Sequence, residues 1–452
     1  MQTALSRVPL PLRLAAFRAL EWAAAARQRM RGQAAPTAAI AAPATQRSLW
    51  VFVSTIGELN AIEPFLELLL KGLGHPPLTL ISDRLNYRSA YLTKYPEAAV
   101  ETLHGSSAEA QGLARRRPPM MLLVAEIPCQ LHDAPCRFSF ATLAAARDAG
   151  APVVLVNGWL YGYKPPSRMD RIENSLFAHD YLRGFDLMMV QTEDIRQRLV
   201  RAGAAATGVV VTGNIKFDGM VPAFAAPIDA PLHQALVARA PAPVIVAGSM
   251  TEASEQLSVL NAFAKVRANH PRALLVFAPR HPENQLGMST LRKLLQQMDL
   301  PYRMRSEHCS EGAVADAVTV LDTIGELRGC YAAASIAFVG RDHNVLEPLA
   351  FGKPVYTGPG WEPTYPSYPV YVQLTEAQAV FGMDDLTGLG AAWIRHLARG
   401  AHSSLQGEEK LKAALASARG ASARSMDVLL TSKVWSALRP WSHAQSHLDI
   451  AR

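Results

Sequence analysis

Short unbroken apolar runs recur along most of the chain, each closed by a polar loop and followed by apolar residues spaced every three to four positions. Runs of four to six apolar residues suit strands buried on both faces, and the three-to-four spacing suits amphipathic helices. The pattern predicts strands at 49–53, 78–81, 120–125, 153–156, 185–190 and 209–211, and helices at 59–70, 140–149 and 193–202. A Pro/Ala-rich stretch at 222–231 then interrupts the alternation and reads as a domain connection. The alternation restarts with strands at 244–247, 274–278, 318–321 and 336–339 and helices at 254–269, 285–298 and 325–333. Three further helices are predicted at 391–398, 408–418 and 421–438. Strands alternating with helices imply an α/β fold of parallel, doubly wound sheets. The expected organisation is an N-terminal helix and linker (1–47), a first domain (48–220), and a second domain with trailing helices (221–452). Two such domains facing each other would form a cleft, a natural place for a nucleotide-linked substrate.

The N-terminal stretch departs from this pattern. Residues 10–26 are apolar and Ala-rich but carry Arg13, Arg18 and Glu21, and Arg27, Arg29 and Arg31 follow. Charges within the apolar core and a basic cluster behind it argue against a signal peptide. Two readings stay open: a helix lying on an anionic membrane surface, or one packed on the first domain. No run is long and apolar enough to predict a transmembrane helix.

Composition narrows the class. The chain has 452 residues, 49% hydrophobic and 18% charged, with net charge +7 and pI near 9.3. That suits two buried cores and an anionic partner, such as a phosphorylated substrate or an acidic membrane. Basic residues are scattered without aromatic interleaving, so no nucleic-acid partner is expected. Cys129, Cys136, Cys309 and Cys330 fit no zinc spacing and read as free thiols.

The polar loops at strand ends carry the candidate chemistry, because free backbone N–H groups at helix N-termini hold phosphates there. In the segment 336–355 a strand leads through Gly340, Arg341, Asp342 and His343 into a short helix opened near Asn344. Glu347, one turn after His343, would share its helix face and could accept from two vicinal hydroxyls, such as those of a ribose. Glu58 follows the first strand in Ser54-Thr55-Ile56-Gly57-Glu58, as a general base or as first-turn charge against the helix dipole. In the second domain Gly248 would let backbone approach a ligand, and Ser249 and Thr251 offer hydroxyls and caps. Arg280, in Pro279-Arg280-His281-Pro282, has the bidentate geometry of a phosphate ligand. Gly325 and Glu326 lie in another loop entering a helix.

Read together, Ser-x-x-Gly-Glu (54–58), Gly-Asn-Ile-Lys-Phe-Asp (213–218), Ala-Gly-Ser (247–249), Pro-Arg-His-Pro (279–282), Asp-Thr-x-Gly-Glu-Leu (322–327) and His-Asn-x-Leu-Glu-Pro (343–348) resemble the 3-deoxy-D-manno-octulosonic acid (Kdo) transferases of lipopolysaccharide assembly. The resemblance runs from about residue 48 to about 359. It implies a GT-B fold of two Rossmann-like domains, a CMP-Kdo donor, a lipid A precursor or related glycolipid as acceptor, and no metal. It also implies a place at the cytoplasmic face of a bacterial inner membrane. By matching position, Glu58 is the expected catalytic base, and Arg280 and His281 contact the CMP phosphate. Gly325 and Glu326 wall the nucleotide pocket, and Asn344 and Glu347 contact ribose and phosphate. Ser249 and Thr251 lie where the donor phosphate approaches, and Lys216 belongs to an interdomain motif.

The departures from the family pattern are uneven. The family's Glu-x-Glu-x-Trp-Pro-Asn segment is here Glu126-Ile127-Pro128-Cys129-Gln130, which keeps one acceptor-side Glu, Glu126, and loses the Trp. Its Asn-Ala-Arg-Leu-Ser becomes Asn157-Gly158-Trp159-Leu160-Tyr161, and its Gly-rich loop before His-Asn shortens to Gly340-Arg341-Asp342. The donor half is thus better kept than the acceptor half. The expected reaction is an inverting transfer in which Arg280 and helix N-termini stabilise the departing phosphate and Glu58 takes the acceptor's proton. Two other readings stay open: a UDP-sugar transferase or epimerase of the same fold, and a non-catalytic paralogue that binds lipid or a partner.

Overall fold

The computed structural model describes residues 8–30, 46–127, 138–160, 168–219, 231–307, 317–323, 325–363, 365, 367–399, 409, 412–413, 415–416 and 418–438. Cys129, Cys136, Cys309, Arg31, most of the predicted linkers and residues 408, 410, 411, 414 and 417 of the predicted helix 408–418 lie outside these residues. The chain divides into one unit of residues 1–219 and 418–452 and a second of residues 220–417.

In the first unit β1 (Ser48–Phe52), β2 (Leu78–Ser82), β3 (Ala99–Thr102), β4 (Pro119–Ala125), β5 (Val153–Gly158), β6 (Leu187–Val190) and β7 (Val209–Val211) form a parallel sheet. Their order is β3-β2-β1-β4-β5-β6-β7. The apolar runs form strands because both faces are covered: β1, β4, β5 and β6 are buried throughout. The order reverses between β1 and β4, where Phe52 pairs with Val124. That switch point places Ser54, Glu58 and Glu126 side by side at the carboxyl end of the sheet.

The second unit repeats the plan with β8 (Val244–Met250), β9 (Leu274–Pro279), β10 (Tyr302–Met304), β11 (Val318–Val320), β12 (Ile336–Val339), β13 (Val355–Thr357) and β14 (Val380–Gly382). Their order is β10-β11-β9-β8-β12-β13-β14, again parallel, with the switch between β8 and β12. Its core joins Ile245, Phe277, Val318, Ile336 and Phe338 to Phe263, Leu291 and Trp393 from the covering helices.

The trailing helices correct the expected boundary. The predicted helix 421–438 is two, Ala421–Thr431 and Lys433–Leu438, broken at Ser432. Ala421, Leu429, Val434, Trp435 and Leu438 belong to the core of the first unit, not the second. Asp218 fixes the return: its carboxylate accepts from Gly420 N–H (2.6 Å) and Ser422 N–H (2.5 Å) at the start of the first of these helices. Arg424 adds a bond from Nε to the Thr212 carbonyl (2.9 Å).

The N-terminal helix Leu10–Met30 packs on the first unit by one face. Arg13 pairs with Asp180 at 2.5 Å and also donates to the Leu176 carbonyl. Buried Phe17 meets Phe177 edge-on at 5.5 Å, and the Glu21 carboxylate accepts from Ser107 N–H at 3.1 Å. Leu12, Arg18, Leu20 and Trp22 stay exposed. No described helix is long and apolar enough to cross a membrane.

Candidate functional site

In the first unit the helix Ile56–Gly72 opens directly after β1. Thr55 caps it, its hydroxyl accepting from Glu58 N–H at 3.2 Å. The Glu58 side chain turns back so that Oε2 accepts from Ser54 N–H at 2.7 Å. Ser54 Oγ in turn donates to Asp83, just past β2, at 2.6 Å. The neighbouring polar residues come from the ends of β4 and β5. Glu126 is 2% exposed, and its Oε1 receives Lys216 Nζ at 2.8 Å and Asn157 Nδ2 at 2.9 Å. Asn157 Oδ1 then accepts from Ile215 N–H at 3.0 Å, which locks the segment carrying Lys216. Glu126 and Asn157 both take positive φ, 56° and 53°, an uncommon conformation for non-glycine residues that gathers at functional sites.

This geometry revises one expectation. The helix dipole does not keep Glu58 ionised. Burial, reinforced by Glu126 and Asp83, pushes its carboxyl up to about 8, against the opposing effects of the Ser54 N–H and Lys216. Glu126 lies within electrostatic reach of Glu58. The ion pair of Glu126 with Lys216 was not readable in the sequence, because these partners lie ninety residues apart and meet only through the sheet order.

In the second unit the strand-end residues cluster at the switch between β8 and β12. Arg280 is exposed at the end of β9, and its guanidinium has no hydrogen bond or ion pair among the described residues. His343 Nε2 meets Thr251 Oγ1 at 3.1 Å. Burial, with Arg280 and His281 nearby, holds the His343 imidazole down at about 3, so it stays neutral. Asn344 Oδ1 accepts from Leu346 N–H at 3.0 Å and starts the helix Leu346–Ala350. Because that helix begins at Leu346, His343 lies before it. The predicted shared helix face with Glu347 is therefore absent. Glu347 is half-buried, and its carboxylate has no hydrogen bond or ion pair among the described residues. Burial raises its carboxyl, while Arg328 and Arg280 act in the opposite direction.

Other predicted site residues are engaged differently. Gly248 does not open space for a ligand: a Cβ there would sit 1.9 Å from the buried Tyr331 hydroxyl. Ser249 takes φ 59°, and the helix Ala253–Asn269 has no side-chain cap. His281 Nδ1 pairs with Glu283 at 3.0 Å on the surface. Gly325, at φ 99°, turns the chain into the helix Leu327–Ala333, and the Glu326 carboxylate is already held by Arg305 (2.9 Å) and the Thr323 hydroxyl. Burial would raise Glu326, but those bonds outweigh it and hold its carboxyl below the usual range.

The sequence model of the 3-deoxy-D-manno-octulosonic-acid transferase (kdotransferase) family matches residues 139–219. A 3-deoxy-D-manno-octulosonic acid transferase of Bordetella pertussis is 30% identical over 357 residues, 73% of each chain. One of Aquifex aeolicus is 25% identical over 318 residues, 69% of this chain and 76% of that one. Among solved structures, a glycosyltransferase from Rickettsia africae aligns over 86% of this chain and 98% of its own, with a TM-score of 0.56 at 11% identity. A putative UDP-N-acetylglucosamine 2-epimerase from Listeria monocytogenes aligns over 86% and 96%, with a TM-score of 0.54 at 13% identity. These two likenesses bear on the fold alone, and with the paired doubly wound sheets they make it GT-B. The identity shared with the Bordetella enzyme across nearly three quarters of both chains places this protein in the 3-deoxy-D-manno-octulosonic acid transferase family of glycosyltransferases.

Proposed function

We propose that the protein transfers Kdo, or a closely related ulosonic acid, from a CMP-activated donor to a lipid A precursor or related glycolipid, with inversion. The observation that carries the donor side is the half-buried carboxylate of Glu347 within electrostatic reach of the Arg280 guanidinium, neither with a hydrogen bond or ion pair among the described residues. A carboxylate that accepts from a ribose diol beside a cation that binds phosphate is what a nucleoside monophosphate needs. Asn344, Thr251, Ser249 and His281 stand on the neighbouring loops, and Gly325 and Glu326 bound the same strand-end region.

In this reaction the bond from the anomeric carbon to the phosphate oxygen breaks. Arg280 offsets the charge that gathers on the departing CMP without a proton transfer. Glu58 takes the proton of the acceptor hydroxyl as the new glycosidic bond forms, so a single displacement inverts the anomeric centre. A carboxylate raised to about 8 is a strong base once ionised, and burial first, then Glu126, sets how readily it ionises. The acceptor would be drawn from an anionic membrane, with the outward face of the N-terminal helix as the contact, at the cytoplasmic face of an inner membrane.

A nucleotide panel tests the donor. CMP and CTP are expected to raise the melting temperature and UDP to leave it unchanged. Stabilisation by UDP alone would move the enzyme to UDP-sugar chemistry.

A further inference from the structure

We propose that Glu255 is a positioning residue for the donor site: its buried carboxylate holds the Arg341 amide and so fixes the loop that carries His343, Asn344 and Glu347. The inference deepens the donor reading above and rests on it.

Glu255 lies in the first turn of the helix Ala253–Asn269, beneath the loop that joins β12 to the helix Leu346–Ala350. It is 8% exposed. Oε1 accepts from Arg341 N–H at 3.2 Å, and Oε2 is buried with no hydrogen-bond partner among the described residues. A carboxylate buried with one oxygen unbonded is costly, and an apolar residue at this turn would avoid that cost. The side chain is also given room: a Cβ at Gly358 would stand 3.2 Å from Oε1. The Arg341 guanidinium does not bond Glu255. It turns to Glu252 (3.3 Å) and Asp342 (3.5 Å).

The same loop is gripped from the other side. Asp342, at φ 67°, accepts from Glu362 N–H at 2.7 Å through Oδ1, and its carbonyl accepts from Ser367 Oγ at 2.8 Å. The three residues 340–342 are thus bracketed, with Glu255 as the inner bracket. The next residues in the chain are His343 and Asn344, one bonded to Thr251 and the other starting the helix that carries Glu347. A shift at Arg341 therefore moves every donor-facing group on this segment.

The charge on Glu255 sets the strength of this hold, since a carboxylate accepts an N–H more strongly than a neutral acid does. The charged groups facing it are Arg341, Glu252 and Asp342. Burial, against the Arg341 amide and guanidinium, pushes the carboxyl up to about 7. The hold on the loop thus strengthens as pH rises through neutrality.

The test measures CMP affinity by calorimetry at pH 6 and pH 8 for the wild type, E255Q and E255A, with melting temperature and amide exchange at Arg341 on the same samples. CMP's own phosphate ionisation is common to all three proteins, so differences between their profiles isolate Glu255. E255Q keeps an acceptor but cannot ionise, so it is expected to lose part of the wild-type gain between pH 6 and pH 8. E255A is expected to bind CMP about tenfold more weakly at pH 8, the loss of one charge-assisted bond, and to exchange the Arg341 amide faster. A purely structural Glu255 would lower the melting temperature while leaving CMP affinity per folded molecule and its pH profile unchanged, which would overturn the proposal. If the wild type binds no CMP, the donor reading falls. Arg341 exchange then still decides for Glu255, and an unchanged rate in E255A would sink the positioning role as well.

Discussion

In the proposed reaction Glu58 and Arg280 carry the chemistry, and each role can be separated from a structural one. If Glu58 is the base, Glu58→Gln keeps shape but cannot accept the hydroxyl proton. Turnover should fall by roughly 10²–10⁴-fold while CMP affinity stays nearly constant. In the wild type the rate should climb with pH through about 8, because only the ionised carboxylate accepts a proton. Stability moves the opposite way. The folded carboxyl holds its proton more tightly than the unfolded one, so its stabilising effect is complete below about 4.5 and is lost as pH rises through about 8. The melting temperature of the wild type relative to Glu58→Gln should therefore drop between pH 5 and pH 9. A flat difference, or near-normal turnover in Glu58→Gln, would remove the buried base from the mechanism. Arg280 is exposed and has no side-chain partner among the described residues, so Arg280→Ala should leave the melting temperature unchanged and weaken CMP by about 1.5–3 kcal/mol, the worth of a charge-assisted bond. Equal CMP affinity in a folded Arg280→Ala protein would exclude it as the phosphate ligand.

At the scale of elements, the returning helix Ala421–Thr431 belongs to the first unit because Asp218 caps it and its apolar face completes that core. Asp218→Ala removes both cap bonds and should cost about 1–2 kcal/mol. Chemical denaturation followed by a probe in the first unit should show the loss, and an unshifted midpoint would mean that burial of Leu429 and Trp435 alone holds the helix. This return was not legible in the sequence. Period-3.6 spacing says that a helix has an apolar face but not which core receives it. The central strands were legible because runs such as 120–125 and 336–339 are apolar throughout. Strands β3, β10 and β14 were not: they are edge or near-edge strands of three or four residues, too short and too polar to stand out. The helix Ser107–Arg116 was missed although its capping box, Ser106 with Glu109, is written in the sequence. At the candidate site, polar residues at strand ends marked Glu58, Arg280 and Glu347 as candidates. Lys216 and Glu255 meet partners, Glu126 and the Arg341 amide, that only the sheet order and the helix packing bring to them.

For the whole molecule, the open question of the N-terminal helix becomes one of faces. Its inner face is committed to the first unit through Arg13, Phe17 and Glu21. Its outer face leaves Trp22 72%, Leu12 61% and Leu20 46% exposed, with Arg18 among them. Packing and membrane contact therefore do not exclude each other, and the net charge of +7 favours an anionic surface. Deleting the helix would confound the two, because it would uncover Phe177 and leave Asp180 without Arg13. Trp22→Glu and Leu12→Glu instead change only the outer face. The wild type should co-sediment with vesicles containing anionic lipid more than with zwitterionic ones, and less as salt rises, since screening shortens the reach of surface charge. The double variant should lose most of that binding while keeping the wild-type melting temperature and CMP affinity. Undiminished vesicle binding by the folded double variant would remove the helix as the membrane contact and leave the basic surface of the two units to account for it.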